Sequence, residues 1–195
     1  MAKKKVLRRD SIESELVLTM DPCFTQEELG QLRSLVEQNS RVAGIETSGN
    51  LTYASMARRS RILRLDVIEY KWVFAKLWKV AKRANFSYGF DIDGLREQIQ
   101  LAIYDESEKG FFGWHMDCSA SLLSRKISIS MPMCEPDDYE GGDLEFLLGS
   151  GDPLRVEQAM GAVVTFPSFL MHRVTPVTKG TRYSLVCWVH GPGWV

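Results

Sequence analysis

A chain of 195 residues, 45% hydrophobic and 25% charged, has the make-up of one globular domain, or of a core with a helical flank, and is long enough to bury a proper core. A formal net charge of −1 provides no global attraction to nucleic acid or to an anionic membrane, and argues against both as partners. Four scattered cysteines without a CxxC pair, and the lack of a leader-like N-terminus, read as reduced thiols in the cytoplasm.

The basic head of Lys3, Lys4, Lys5, Arg8 and Arg9 reads as a solvated terminal tail. Leu16-Val17-Leu18 is expected as a short opening strand that Asp21-Pro22 breaks. Thr25 and Glu28 form a capping-box pattern, and Leu29, Leu32 and Val36 follow at helical spacing, which predicts a helix to about Asn39. The polar stretch 41–50 reads as a loop, and the alternation over 61–67 as a strand. From Tyr70 to Ala84, Val73, Leu77, Val80 and Ala84 mark one helical face, to be packed on the outside of a sheet.

From Leu95 onward the texture changes to short strands. Leu95, Glu97, Ile99, Leu101 and Ile103 share one face, while Gln98, Gln100, Ala102 and Tyr104 share the other. Asp105–Gly110 reads as a polar loop. Further strands are expected at 111–118, 126–133, 143–148, 161–166, 171–177 and 182–190, with turns at Gly141-Gly142, Gly149–Pro153 and Lys179-Gly180. No segment is repeated. Evenly spaced short strands indicate a closed or double-sheet β architecture, and a jelly roll fits the count. The expected division is a tail and helical flank over 1–94 packed on a mainly β core over 95–195, together one compact unit.

The chemistry concentrates at Trp114-His115-Met116-Asp117. On a strand over 111–118, His115 and Asp117 would point to one face, so a third ligand from elsewhere completes a metal site. The chain has three histidines, at 115, 172 and 190. The candidates for that third ligand are therefore few; His190 ends the last expected strand and reads as structural, and His172 lies far downstream of the pair. Two histidines and a carboxylate make the facial set of non-haem Fe(II) oxygenases. On the last strand Arg182, Ser184, Val186 and Trp188 share a face. An inward Arg182 suits the distal carboxylate of a 2-oxo acid, with Ser184 as a second donor and Trp188 as a wall; a structural salt bridge is the competing role. Trp114 and Cys118, on the opposite parity, are expected in the core.

Gln100–Tyr104, Trp114–Asp117, Tyr139–Leu144, Gly161–Pro167 with His172, and Gly180-Thr181-Arg182-Tyr183-Ser184 together resemble the 2-oxoglutarate- and Fe(II)-dependent dioxygenases, and most nearly their prolyl 4-hydroxylase-like branch. The resemblance covers about residues 95–191. It implies a double-stranded β-helix of the cupin-like kind, with flanking helices, that holds iron on His115, Asp117 and His172. It also implies that Arg182 binds the C5 carboxylate of 2-oxoglutarate, with Tyr104 close to the cosubstrate or the metal. Pro132 and Cys134 stand where relatives often place tyrosine, glutamine or asparagine. The implied reaction consumes 2-oxoglutarate and O2, leaves ascorbate open as an accessory reductant, and hydroxylates a C–H bond of a prolyl or other residue in a protein or peptide, or of a free amino acid. The alternatives are a non-catalytic binding barrel and a metal dioxygenase that uses no oxo acid. The polar segments 41–53 and 105–110 are the expected lids, and no feature specifies an oligomeric state.

Overall fold

The computed structural model describes residues 16–39, 41–42, 57–119, 121–149, 151–157 and 159–194. The basic head and most of the 41–53 segment lie outside these residues. Among the described residues the strands form two sheets. The larger runs in the order β1 (Leu18–Met20), β11 (Val163–Pro167), β7 (Arg125–Pro132), β13 (Val177–His190), β5 (Ile99–Asp105), β4 (Arg61–Leu65) and β2 (Arg41–Val42), with β8 (Tyr139–Gly141) added against the start of β13. The smaller runs β10 (Leu154–Val156), β9 (Leu144–Phe146), β12 (His172–Val174), β6 (Phe111–His115) and β3 (Arg58–Arg59). This is the double-stranded β-helix expected.

Period-two alternation gives the larger sheet two unlike faces. Ile99, Leu101 and Ile103 of β5, Ile127, Ile129 and Met131 of β7, and Leu185, Cys187 and Val189 of β13 all enter one apolar core. Two helices cover it: α1 (Gln26–Asn39) through Leu29, Leu32 and Val36, and α2 (Lys71–Tyr88) through Val73, Phe74, Leu77 and Val80. The other face carries Tyr104, Ser130, Arg182, Ser184 and Trp188 and looks toward the smaller sheet across a cavity. The helices therefore keep one side dry and leave the other free for polar chemistry.

The helix ends follow their side chains. Thr25 N–H donates to Glu28 Oε2 at 2.7 Å and Glu28 N–H to Thr25 Oγ1 at 3.2 Å, the reciprocal capping box predicted for α1. Glu28 also receives Lys76 Nζ of α2 at 2.6 Å, which ties the two helices together. Beyond the expected Ala84, α2 continues to Tyr88, where Gly89 at φ 65° donates its N–H to Asn85 O.

Several boundaries differ from expectation for local reasons. The opening strand lies two residues later, at β1, where it pairs with β11. β4 stops at Leu65 because the Asp66 carboxylate accepts the N–H groups of Ile68 and Glu69 and turns the chain toward α2. Arg41–Val42, expected as loop, pairs with β4. β5 begins at Ile99 rather than Leu95, and β8, β10 and β3 are too short to leave a pattern. Over 105–110 the chain forms a single 3-10 turn, Glu106–Glu108, capped by Asp105. Glu106 fastens it to β13 by accepting the Gly180 N–H at 2.7 Å.

Lys179-Gly180 is not a turn. β13 runs straight through it, and the pairing with β8 slips between Val177 and Lys179. Gly180 has φ 71°, and a Cβ there would stand 2.2 Å from Asp138 O. Glycine is required twice over, by conformation and by contact. Gly180→Ala should therefore cost roughly 3 kcal/mol, read as a fall of several degrees in Tm; an unchanged Tm would show that this bulge carries no constraint.

Candidate active site

β6 and β12 pair with His115 opposite His172 but with Phe112, not Gly113, opposite Val174. The extra residue in β6 is a β-bulge, and it turns Phe112 and His115 to the same side. Their rings stack with centroids 3.5 Å apart. The strand then ends at His115, so Asp117 lies beyond it and the expected alternation over 111–118 does not hold. A carbonyl brings Asp117 back. Ser168 O accepts the N–H groups of both Asp117 and Cys118 at 3.0 Å, and Arg125 Nη1 donates to Asp117 O at 3.1 Å. Trp114, expected in the core, is turned outward by the bulge to 39% exposure, with the Arg173 guanidinium 4.6 Å above its ring. Cys118 is half-buried rather than core.

His115, Asp117 and His172 are thereby assembled, with one ligand atom from each lying within 4.8 Å of the others. His115 Nε2 is 3.7 Å from Asp117 Oδ1, and His172 Nε2 is 3.5 Å from Asp117 Oδ2. Each Nδ1–H donates to a backbone carbonyl, Gly113 O at 2.8 Å and Leu170 O at 2.9 Å. Those bonds set the tautomer and leave both Nε2 lone pairs facing the carboxylate. Ser128 Oγ donates to Asp117 Oδ2 at 2.7 Å.

Burial, reinforced by His172, lowers the His115 imidazole to about 4 against the opposing pull of Asp117. It is neutral at pH 7, which is the ligating form. Burial pushes the Asp117 carboxyl up, but His172, His115 and the Ser128 hydroxyl outweigh it and hold the group below the usual carboxylate range. A buried carboxylate faced by two imidazole nitrogens is the donor set of a divalent iron site with open positions. The residues present fit that metal.

Tyr104, Arg182, Ser184 and Trp188 all line the cavity that holds the three ligands. Arg182 is fully buried, its Cζ 5.4 Å from the Tyr104 ring centre. Gly142, at φ 63°, makes room for it, since a Cβ there would stand 2.8 Å from Arg182 Cδ. Ser184 Oγ is buried without a hydrogen-bond partner among the described residues, as a hydroxyl awaiting a ligand would be. Trp188 lies opposite Ser128 in the β13–β7 pairing, at the metal end of the cavity, with Arg125 stacked 3.8 Å from its ring centre. His190 lies outside the cavity, buried with Nδ1 at 3.0 Å from Ser124 Oγ and Nε2 at 3.1 Å from Glu97 Oε1. A larger groove of about 640 Å³ opens beside Tyr139 and Asp143 but contains no metal-ligating cluster among the described residues.

Sequence reasoning missed Ser128, Ser168, Phe112 and Arg58. Ser128 and Ser130 had a signal, since they alternate with Ile127 and Ile129 along β7. The others depend on a turn, a bulge and a two-residue strand. Of the two unusual residues, Pro132 lies opposite Ser184 with no polar hydrogen to offer, and Cys134 accepts the Tyr183 N–H at 3.4 Å.

Residues 99–190 match the family described as the 2OG-Fe(II) oxygenase superfamily. A PKHD-type hydroxylase of Acinetobacter baumannii (strain SDF) is 30% identical over 181 residues, which span 85% of this chain and 74% of that protein. The fold is similar to that of a Pseudomonas putida prolyl-4-hydroxylase, with a TM-score of 0.71 at 18% identity over 94% of this chain and 97% of that one. A prolyl hydroxylase from Trichoplax adhaerens, solved with a hypoxia inducible factor peptide fragment, has a TM-score of 0.75 at 15% identity over 93% and 86% of the two chains. The chain belongs to the 2OG-Fe(II) oxygenase superfamily, shares its fold with the prolyl 4-hydroxylases, and is a 2-oxoglutarate-dependent Fe(II) hydroxylase.

Proposed function

We propose that His115, Asp117 and His172 hold the Fe(II), that Arg182 takes the C5 carboxylate of 2-oxoglutarate with Ser184 as a second donor and Tyr104 alongside, and that Trp188 walls the metal end. The substrate in this reading is a prolyl or other residue of a protein or peptide, or a free amino acid. The observation that carries it is that the three ligands and the buried Arg182 guanidinium line one cavity. The relatives named above as hydroxylases, one of them solved with a peptide, support the substrate class. The flank before residue 95 would serve the same unit, because β3 and β4 complete the sheets around the cavity. Four free thiols fit the cytoplasmic setting we infer; among the described residues no helix is long and apolar enough to cross a membrane.

When bound, Fe(II), 2-oxoglutarate and O2 supply the oxidation: the oxo acid loses CO2 to become succinate, and one oxygen atom converts a substrate C–H to C–OH. The chain's own residues bind and orient. The two Nδ1–carbonyl bonds prevent the imidazoles from rotating, and Ser128 fixes the carboxylate. Charge closes as well. Fe(II), Asp117 and Arg182 sum to a double positive charge, which the 2-oxoglutarate dianion cancels in a buried space. Phe112, Phe166 and Trp188 exclude water around that pair.

Asp117→Ala removes the anionic ligand and should abolish iron retention and turnover with the fold kept, as read by metal analysis and circular dichroism. Iron content near wild type would reject Asp117 as a ligand. Arg182→Ala should raise the constant for 2-oxoglutarate by roughly two to four orders of magnitude, as expected for half of a buried ion pair. Arg182→Lys should recover part of the loss, because a point charge lacks the planar fork. Anaerobic titration into the Fe(II)-loaded variants, followed by the weak visible charge-transfer band, decides it; wild-type affinity in Arg182→Ala would leave that residue a structural role only.

The metal-free protein should lose stability as pH falls from 6.5 toward about 4, the ordinary and native values of the His115 imidazole. In that window the unfolded chain binds a proton at His115 that the native state refuses, so stability rises with pH. The span amounts to about 3 kcal/mol. Urea midpoints against pH for wild type and His115→Gln test this, since equal slopes would remove His115 as the cause.

A further inference from the structure

Arg58 lines the same cavity as the three ligands, yet no part of the reaction described above uses it. Its Cζ lies 4.7 Å from the Phe112 ring centre, and that ring in turn stacks at 3.5 Å on His115. The guanidinium is thus one aromatic ring removed from a metal ligand. Its polar contacts are both with uncharged groups: Nε donates to Ser60 Oγ at 2.7 Å and Nη1 to Gln100 Oε1 at 3.4 Å. Among the described residues no carboxylate lies within ion-pair distance of Arg58. A guanidinium has five N–H donors, and the contacts to described residues occupy only part of that fork.

Charge then identifies the missing partner. Fe(II), Asp117 and Arg182 are balanced by the 2-oxoglutarate dianion, so Arg58 remains as a positive charge in the cavity wall that no carboxylate of the described residues answers. Near a low-dielectric wall such a charge attracts an anion far more strongly than it would in open water. Gln100 uses its carbonyl oxygen on Arg58, which leaves its amide NH2 as a further donor beside the same position. Two adjacent donor groups, one of them a planar cation, match a carboxylate.

We propose that Arg58, seconded by Gln100, binds a carboxylate of the organic substrate. The C–H bond to be hydroxylated then belongs to a carboxylate-bearing molecule: a free amino acid through its α-carboxylate, or a peptide through an acidic side chain or its C-terminus. This rests on the reading of His115, Asp117, His172 and Arg182 given above and narrows the substrate within it.

The test uses the full chain loaded with Fe(II) and 2-oxoglutarate. Succinate formation above the substrate-free background is measured with matched acid and amide probes. One arm pairs each common L-amino acid with its α-carboxamide. The other pairs proline-containing peptides carrying Asp, Glu or a free C-terminus with their Asn, Gln or amidated counterparts. Stimulation by the acid and not by its amide is expected, and the arm that responds identifies the source of the carboxylate. Arg58→Gln should raise KM for that acid roughly 10- to 100-fold, and Arg58→Lys should restore part of the loss. Anaerobic calorimetry of the same acid should show the same loss in Kd, with 2-oxoglutarate affinity kept.

Equal response to acids and amides overturns the proposal, as does a loaded enzyme that no carboxylate in the panel stimulates. Unchanged acid affinity in Arg58→Gln also overturns it. An equal loss of 2-oxoglutarate affinity would assign Arg58 to the cosubstrate instead. Failure of the underlying reading looks different: neither the visible band nor any succinate would form, whatever is added.

Discussion

Where β6 runs beside β12, two residues separate Phe112 from His115 while one separates Val174 from His172, and the surplus has to leave the ladder. It leaves at Gly113-Trp114, which brings two ring-bearing side chains onto the inner side and sends an indole outward. The Gly113 carbonyl freed there becomes the acceptor that fixes the His115 ring. Strand alternation alone would not place Phe112, His115 and the carbonyl together. The ligand pair, the aromatic wall and the tautomer all descend from that one irregularity.

The larger sheet contributes by being regular. Alternation along β5, β7 and the 182–189 part of β13 sends aliphatic side chains to the helices and polar ones to the cavity, so a single set of strands supplies both a dry core and a reactive wall. An arginine as deeply buried as Arg182 is costly in such a wall unless something answers its charge. Gly142 and the rings of Tyr104 and Tyr139 enclose it closely, so its place is set before any ligand arrives.

What could be read from the amino acids divides along the same line. Face assignments on β5 and on residues 182–189 of β13 were legible because the period runs on there, and Tyr104, Arg182, Ser184 and Trp188 share a cavity. Both helices were legible from their apolar stripes and from Thr25 and Glu28. His115 and Asp117 were paired correctly on a mistaken premise. They meet because Ser168 O catches the turn after β6, not because they alternate on a strand. Trp114 misled for the same reason. Gly180 looks like a turn residue because positive φ serves bulges as well as turns. Arg58, on a two-residue strand that pairs with β6, left no pattern to find.

The three candidate ligands do not belong to one layer. His115 and His172 sit on the smaller sheet, while Asp117 is fastened through Ser128 to β7 of the larger one. An ion shared by all three is therefore a cross-link between the two layers, drawn from places far apart in the chain. Metal supply then becomes a mechanical variable as well as a chemical one. An ion on all three would hold the layers together and add its binding free energy to folding, as any ligand that binds only the folded state does. For such a fold, persistence in the cell would itself report on iron.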